Sequence, residues 1–91
     1  MRKILILHSS DNVAVCLSEI IKGEIIEQDG KKFSALESIP RGHKIAIANI
    51  DLNEGIIKYG ERMGHATSRI NAGSHVHVHN VLGDRLASSD S

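Results

Sequence analysis

The chain has 91 residues, with 11 Lys plus Arg against 11 Asp plus Glu, six His, one Cys, and one Tyr and one Phe as its aromatic side chains. That is room for one small domain and excludes a self-contained multi-step enzyme, since a chain of this size buries only about 60–70% of its unfolded surface. Zero net charge and so few aromatics exclude the positive field and stacking platform used by nucleic-acid binders, and leave nothing to draw the chain to an anionic lipid surface.

Met1-Arg2-Lys3 followed by Ile4-Leu5-Ile6-Leu7 only faintly imitates a signal peptide, because His8 to Asn12 end an apolar run that would need about 7–15 residues. No stretch approaches the roughly 20 apolar residues of a membrane span. Cys16 stands alone, so an intrachain disulfide is excluded and a reduced, cytoplasmic setting without membrane contact is expected.

The apolar residues come in short bursts, which suits strands of about 4–8 residues better than helices. Residues 3–7 give the first strand and residues 13–17 the second, although Val13, Leu17, Ile20 and Ile21 also fit a helical stripe behind Asp11. Segments 24–27 and 32–36 follow, with Asp29-Gly30 between them as a hairpin-turn signal of open loop length. Then come 44–47, 56–59 and 74–81, with Pro40 outside every strand, as its missing N–H requires.

A local pattern recurs, with an apolar residue shortly before a glycine and apolar residues after it. It ends at Gly23, Gly42, Gly55 and Gly73, each read as a tight turn that leads into a strand. The expected fold is therefore mostly β, with many short strands and glycine turns over residues 1–86, and a flexible tail at 87–91. Exposed strand edges leave self-association into a homo-oligomer open.

The stretch His75-Val76-His77-Val78-His79-Asn80 is the most informative. On a strand, alternate side chains share a face, so the three histidines lie together opposite the valines. Neutral imidazoles two residues apart can converge on a divalent metal, which makes His77 and His79 ligand candidates with His75 a third. The same alternation also describes the polar face of a half-buried strand. His43 and Lys44, behind Gly42, offer an acid/base imidazole and an anion-binding ammonium. Lys58 and Tyr59 suit an anionic hydroxyacid, and Tyr59 equally suits packing with its hydroxyl at a rim. Asp11 suits substrate hydroxyls or a metal, although a turn or capping role is the commoner use of such a residue. His8 and His65 lack supporting spacing, and Cys16, between Val15 and Leu17, reads as a buried thiol. No phosphate-binding glycine loop, paired-cysteine zinc pattern or nucleophile elbow is present.

Taken in order, Asp11-Asn12-Val13-Ala14-Val15, Ile39-Pro40-Arg41-Gly42-His43-Lys44-Ile45-Ala46, Gly55-Ile56-Ile57-Lys58-Tyr59-Gly60 and Ile70-Asn71-Ala72-Gly73-Ser74-His75-Val76-His77-Val78-His79-Asn80 resemble the N-terminal domain of the altronate/galactarate dehydratase family. The resemblance implies a SAF-type β-clip domain. It also implies a hydro-lyase system that dehydrates a polyhydroxy carboxylate to a 2-keto-3-deoxy acid, with a divalent metal, iron(II) or manganese(II), and a large catalytic partner subunit or domain. The small sugar-acid substrate would meet His43 and Lys44 as catalytic residues and Asp11, Lys58, Tyr59 and Asn80 as binding residues, with His77 and His79 on the metal. Relatives that act on sulfolactate share the domain, and SAF-type domains also serve as non-catalytic binding modules or scaffolds. Two positions depart from the pattern: Arg62-Met63 replaces a Pro-aliphatic pair, and His75 stands where the family often has another residue.

Overall fold

Four buried isoleucines organise the chain. Ile20 and Ile39 exchange both backbone hydrogen bonds, at 2.9 and 2.8 Å, and Ile50 and Ile70 do the same at 2.7 and 2.8 Å. Three residues after each isoleucine the backbone turns through positive φ: Gly23 at 90°, Gly42 at 85°, Asn53 at 71° and Gly73 at 94°. Glycine, and less readily asparagine, reaches this region because a Cβ there crowds the backbone. The turn expected at Gly55 is thus made at Asn53, and Gly55 already lies in a strand.

A computed structural model describes residues 3–77 and 79–83, and all strand pairs among them are antiparallel. The strands are β1 (Ile4–Leu5), β2 (Val13–Cys16), β3 (Ile25–Gln28), β4 (Lys31–Ser34), β5 (Lys44–Ala46), β6 (Gly55–Lys58), β7 (Glu61–Ala66), β8 (His75–Val76) and β9 (Val81–Leu82). They form a four-stranded sheet in the order β1-β2-β5-β8, the hairpin β3-β4, and a three-stranded sheet β6-β7-β9. No helix occurs among the described residues, so the helical alternative for Val13 to Ile21 fails. The domain boundary at residue 86 and the tail 87–91 lie outside the described residues.

Most expected strands are present within a residue or two of their predicted ends. Two differences stand out. Strand β7 was not predicted, because Glu61, Arg62 and Met63 are exposed and show no apolar alternation. It forms because β6 and β9 pair with it from either side, a case of tertiary context overriding local pattern. Conversely, the single strand expected over 74–81 is split. Asn80 ties the chain back onto His77: its N–H donates to the His77 carbonyl at 3.1 Å, and its Oδ1 accepts the His77 N–H at 3.0 Å.

The fold is an internal duplication. Ile20, Gly23, Asp29 and Gly30 correspond to Ile50, Asn53, Tyr59 and Gly60. Ala35, Ile39, Gly42 and Ile45 correspond to Ala66, Ile70, Gly73 and Val76. Each copy carries a hairpin with a two-residue turn whose residues both have positive φ, Asp29-Gly30 in the first and Tyr59-Gly60 in the second. The second copy is longer by one residue, and the extra residue is a bulge: Ile56 pairs with Gly64 and Ile57 with Arg62, which leaves Met63 unmatched. Each copy also has its own apolar core. One gathers Ile20, Ile26, Ala35, Ile39 and Ile45, and the other Ile50, Ile56, Ala66, Ile70 and Val76.

Candidate functional site

The junction of the two copies gathers imidazole and ammonium groups. Strand β5 closes the first copy directly after the Gly42 turn, and its counterpart β8 runs antiparallel beside it, with Lys44 opposite Val76 and Ile45 opposite His75. This pairing brings His43 against histidines more than thirty positions away in sequence. His43 Nδ1 and His75 Nε2 are 2.9 Å apart, so one ring donates its N–H to the lone pair of the other. The His77 ring stacks on both, with centroids 4.7 Å from His43 and 5.3 Å from His75. One nitrogen from each of His43, His75 and His77 lies within 4.8 Å of the others. The His79 ring is 5.4 Å from that of His75. The histidines therefore gather as the alternation predicted, but the tie between Asn80 and His77 holds them there, because β8 ends at Val76. Val78 lies outside the described residues.

Electrostatics favour neutral imidazole at the centre of the cluster. Burial pushes the His75 pKa below its ordinary value. The nearby His43, His77 and His79 push in the same direction, and the Glu37 carboxylate opposes them. Glu37 had no signal in the sequence, yet its Oε2 accepts the His75 N–H at 3.0 Å and fixes the start of β8.

Lys44 is half-buried beside the cluster. Its pKa is lowered first by burial and then by the neighbouring Lys58. Neither ammonium has an ion-pair partner among the described residues. Lys58 Nζ lies 5.1 Å from the centroid of the Tyr59 ring, a cation–π contact. Tyr59 itself is held at φ 56°, an unusual conformation for a bulky residue.

Asp11 and Asn80 serve the backbone. The Asp11 carboxylate is buried and accepts N–H bonds from Leu7 at 3.3 Å, His8 at 3.2 Å and Gly60 at 2.7 Å, which ties the residues after β1 to the β6–β7 turn. Burial, the largest single influence, pushes its pKa up. The N–H groups of Gly60, Leu7, Tyr59 and His8 outweigh it, and the carboxyl titrates below its ordinary value. Asn80 donates to the His75 carbonyl at 2.9 Å while accepting from His77, so its amide locks the loop that presents the histidines. His8 accepts from the Ser10 N–H at 3.1 Å, and neither it nor the half-buried His65 of β7 joins the cluster. Cys16 is buried, and burial raises its thiol pKa to about 11.

A cleft of about 370 Å³ opens from Lys44 and His77 along Val76, Ile56 and Val81, between the exposed side chains of Met63 and Leu82. A second cleft, of about 430 Å³, lies between residues 6–9 and the Asp29 turn and shares no lining residue with the imidazole cluster.

The profile of the altronate/galactarate dehydratase SAF domain matches residues 2–84, and the matched span carries the duplicated β-scaffold together with the histidine loop. The chain belongs to this family. Among similar proteins, the altronate dehydratase of Bacillus subtilis (strain 168) is 42% identical over 81 residues, which cover 89% of this chain and 16% of that protein. The altronate dehydratase of Escherichia coli (strain K12) is 39% identical over 75 residues, 82% of this chain and 15% of that protein. The (2R)-sulfolactate sulfo-lyase subunit alpha of Chromohalobacter salexigens is 39% identical over 64 residues, 69% of this chain and 68% of the subunit. This SAF domain thus spans about one sixth of the altronate dehydratases that it matches, and most of the sulfo-lyase subunit. Among the described residues, no helix is long and apolar enough to cross a membrane.

Proposed function

We propose that this SAF domain is the small component of a sugar-acid hydro-lyase, working with a larger catalytic chain on a polyhydroxy carboxylate. The carrying observation is the convergence of His43, His75 and His77, with nitrogens within 4.8 Å of one another. Their chemistry fits a divalent cation. Imidazole nitrogen suits iron among other borderline metals, the raised cost of protonating His75 keeps a lone pair available, and three imidazole donors leave positions for ligands from elsewhere. A divalent ion held there would supply Lewis acidity toward the carboxylate and adjacent hydroxyl of the substrate.

The remaining roles belong to side chains of this chain. Lys44 and Lys58 put two ammonium groups, without an ion-pair partner among the described residues, where a carboxylate relieves their mutual repulsion. The strained Tyr59 turn holds the Lys58 side of that pair, and Asp11 holds the turn. Asn80 and Glu37 fix the histidine loop from the backbone outward. His79, beside His75, is placed to pass a proton at the edge of the cluster. No carboxylate joins the imidazole set among the described residues, so the base that removes the α-proton is assigned to the larger chain.

The test begins with the untagged protein titrated anaerobically with Fe2+ or Mn2+ by calorimetry. His43→Ala and His77→Ala should each lose binding, and metal uptake equal to wild type in both would remove the proposed ligand set. Mixing with the large chain should then produce 2-keto-3-deoxy acid from altronate or galactarate, whereas ordinary turnover by the small chain alone would overturn the division of labour.

One observation supports a second reading. The chain covers 68% and 87% of two sulfolactate sulfo-lyase alpha subunits, against 15–16% of the altronate dehydratases. Sulfite release from sulfolactate by the reconstituted pair, with no dehydration of altronate or galactarate, would favour that substrate.

A further inference from the structure

The cleft beside the imidazole cluster is not built for a sugar acid. Its floor is Ile56, Val76 and Val81, the first two almost fully buried, and its walls are Met63 and Leu82, which are 45% and 41% exposed. A polyhydroxy carboxylate gains nothing against such walls and loses hydration of its hydroxyls. Among the described lining residues the polar side chains are His77 of the cluster and Lys44 beside it. Among the described lining residues the charge is that of Lys44, and none is a carboxylate.

The cleft is also where the two copies of the scaffold diverge. The β3–β4 hairpin of the first copy pairs in unbroken register, and the β6–β7 hairpin of the second is bulged at Met63. Bulges re-aim side chains, and this one leaves a large flexible apolar residue on the rim. On the other rim, β9 has no counterpart strand paired with the first hairpin among the described residues. Where a repeated unit departs from itself to leave apolar side chains in solvent beside a polar site, a protein surface is the occupant that repays the exposure.

Resting on the two-component reading above, the geometry points to this cleft as the seat of an apolar segment of the larger dehydratase chain, which then reaches the imidazoles at the Lys44 and His77 end. The relatives supply the length argument. This domain makes up 15–16% of the altronate dehydratases and most of a separately encoded sulfo-lyase subunit, so the contact with the remainder must hold with or without a covalent link. A site shared between the chains requires that contact to border the cluster, and His77 lines both.

The experiment is site-specific photocrosslinking in the native host, with p-benzoylphenylalanine installed at Met63, at Leu82, or at the exposed Ile25 of the first hairpin, followed by mass spectrometry of the adducts. Positions 63 and 82 should capture the large dehydratase chain, and position 25 should not. With the purified pair, Leu82→Glu should weaken association by at least about 10-fold and Ile25→Glu by less than about 2-fold, the contrast expected between an anchor and a bystander. Capture of the large chain from position 25 alone would overturn the assignment of the face and leave the two-component reading standing. Capture of only a second copy of this chain from positions 63 and 82 would also overturn it. No capture from any position, with no association of the purified pair, would overturn both.

Discussion

Replacing Asp11 by Ala should cost the fold about 3 kcal/mol. The carboxylate is 5% exposed and accepts three backbone N–H groups, one short at 2.7 Å and two longer at 3.2 and 3.3 Å. A hydrogen bond to a charged group contributes about 1.5–3 kcal/mol net. The Gly60 bond counts about 2 kcal/mol and the longer pair together about 1 kcal/mol, because bonds that share one acceptor do not add fully. For a domain of this size, whose total stability is on the order of 5–10 kcal/mol, this is a large fraction. The assay is urea unfolding followed by circular dichroism, where a slope near 1 kcal/mol/M turns the loss into a midpoint shift of about 3 M. Asp11→Asn keeps one acceptor oxygen but turns an NH2 toward the remaining donors, so it should lose roughly half as much. The pH dependence has a definite sign. The folded carboxyl titrates below its ordinary value of 3.8, so its contribution is complete above that value and is lost as pH falls toward the lowered one. Wild-type stability should therefore drop in that acidic window, and Asp11→Asn should show a flatter profile there. A loss below about 1 kcal/mol at pH 7, or identical acid profiles, would refute the clasp and return Asp11 to the ligand-binding candidates.

Three further outcomes concern the turns, the buried thiol and the Lys44 ammonium. Gly23→Ala and Gly73→Ala place a Cβ at nearly the same φ, but the first meets open space and the second overlaps the Ser34 carbonyl. Thermal melts should show about 1–2 kcal/mol lost in the first and clearly more in the second, and the opposite order would be inconsistent with the packing of the two copies. Cys16, buried with its thiol raised to about 11, should resist a thiol-disulfide reagent at pH 8 until urea unfolds the chain; rapid native labelling would contradict its burial. Burial and Lys58 lower the Lys44 pKa, so the folded state binds its proton less readily than the unfolded chain, and stability gains from this residue as pH rises through the lowered value. Lys44→Met should therefore stabilise the protein by about 0.5–1 kcal/mol near neutral pH while weakening carboxylate binding, and calorimetry together with melts would expose a variant that does neither.

The β fold was legible because its turns use residues with little other use. Ile-x-x-Gly marks three of the four structural turns, and only at Ile50-Asp51-Leu52-Asn53 does asparagine take the left-handed position and hide the repeat. Strand β7 was illegible for the opposite reason: Glu61 to Met63 face solvent, and nothing local distinguishes them from a loop. Within the site, the alternating histidines announced a shared face. The addition of His43 depends on the β5–β8 register, a non-local fact, although both segments follow equivalent turns at Gly42 and Gly73. Asp11 and Asn80 were recognised as polar residues of interest, but only burial and hydrogen-bond partners separate a ligand-binding carboxylate or amide from one consumed by the main chain.

The joint between the two copies has a mechanical meaning. His43 stands on the threshold between them, and His75 and His77 close the far end of the second, so the three nitrogens report the alignment of two separately packed isoleucine layers. The chain acts as a bracket. Its many turns and short ladders hold a few imidazole nitrogens at fixed spacing, and that spacing changes only if the two layers shift against each other.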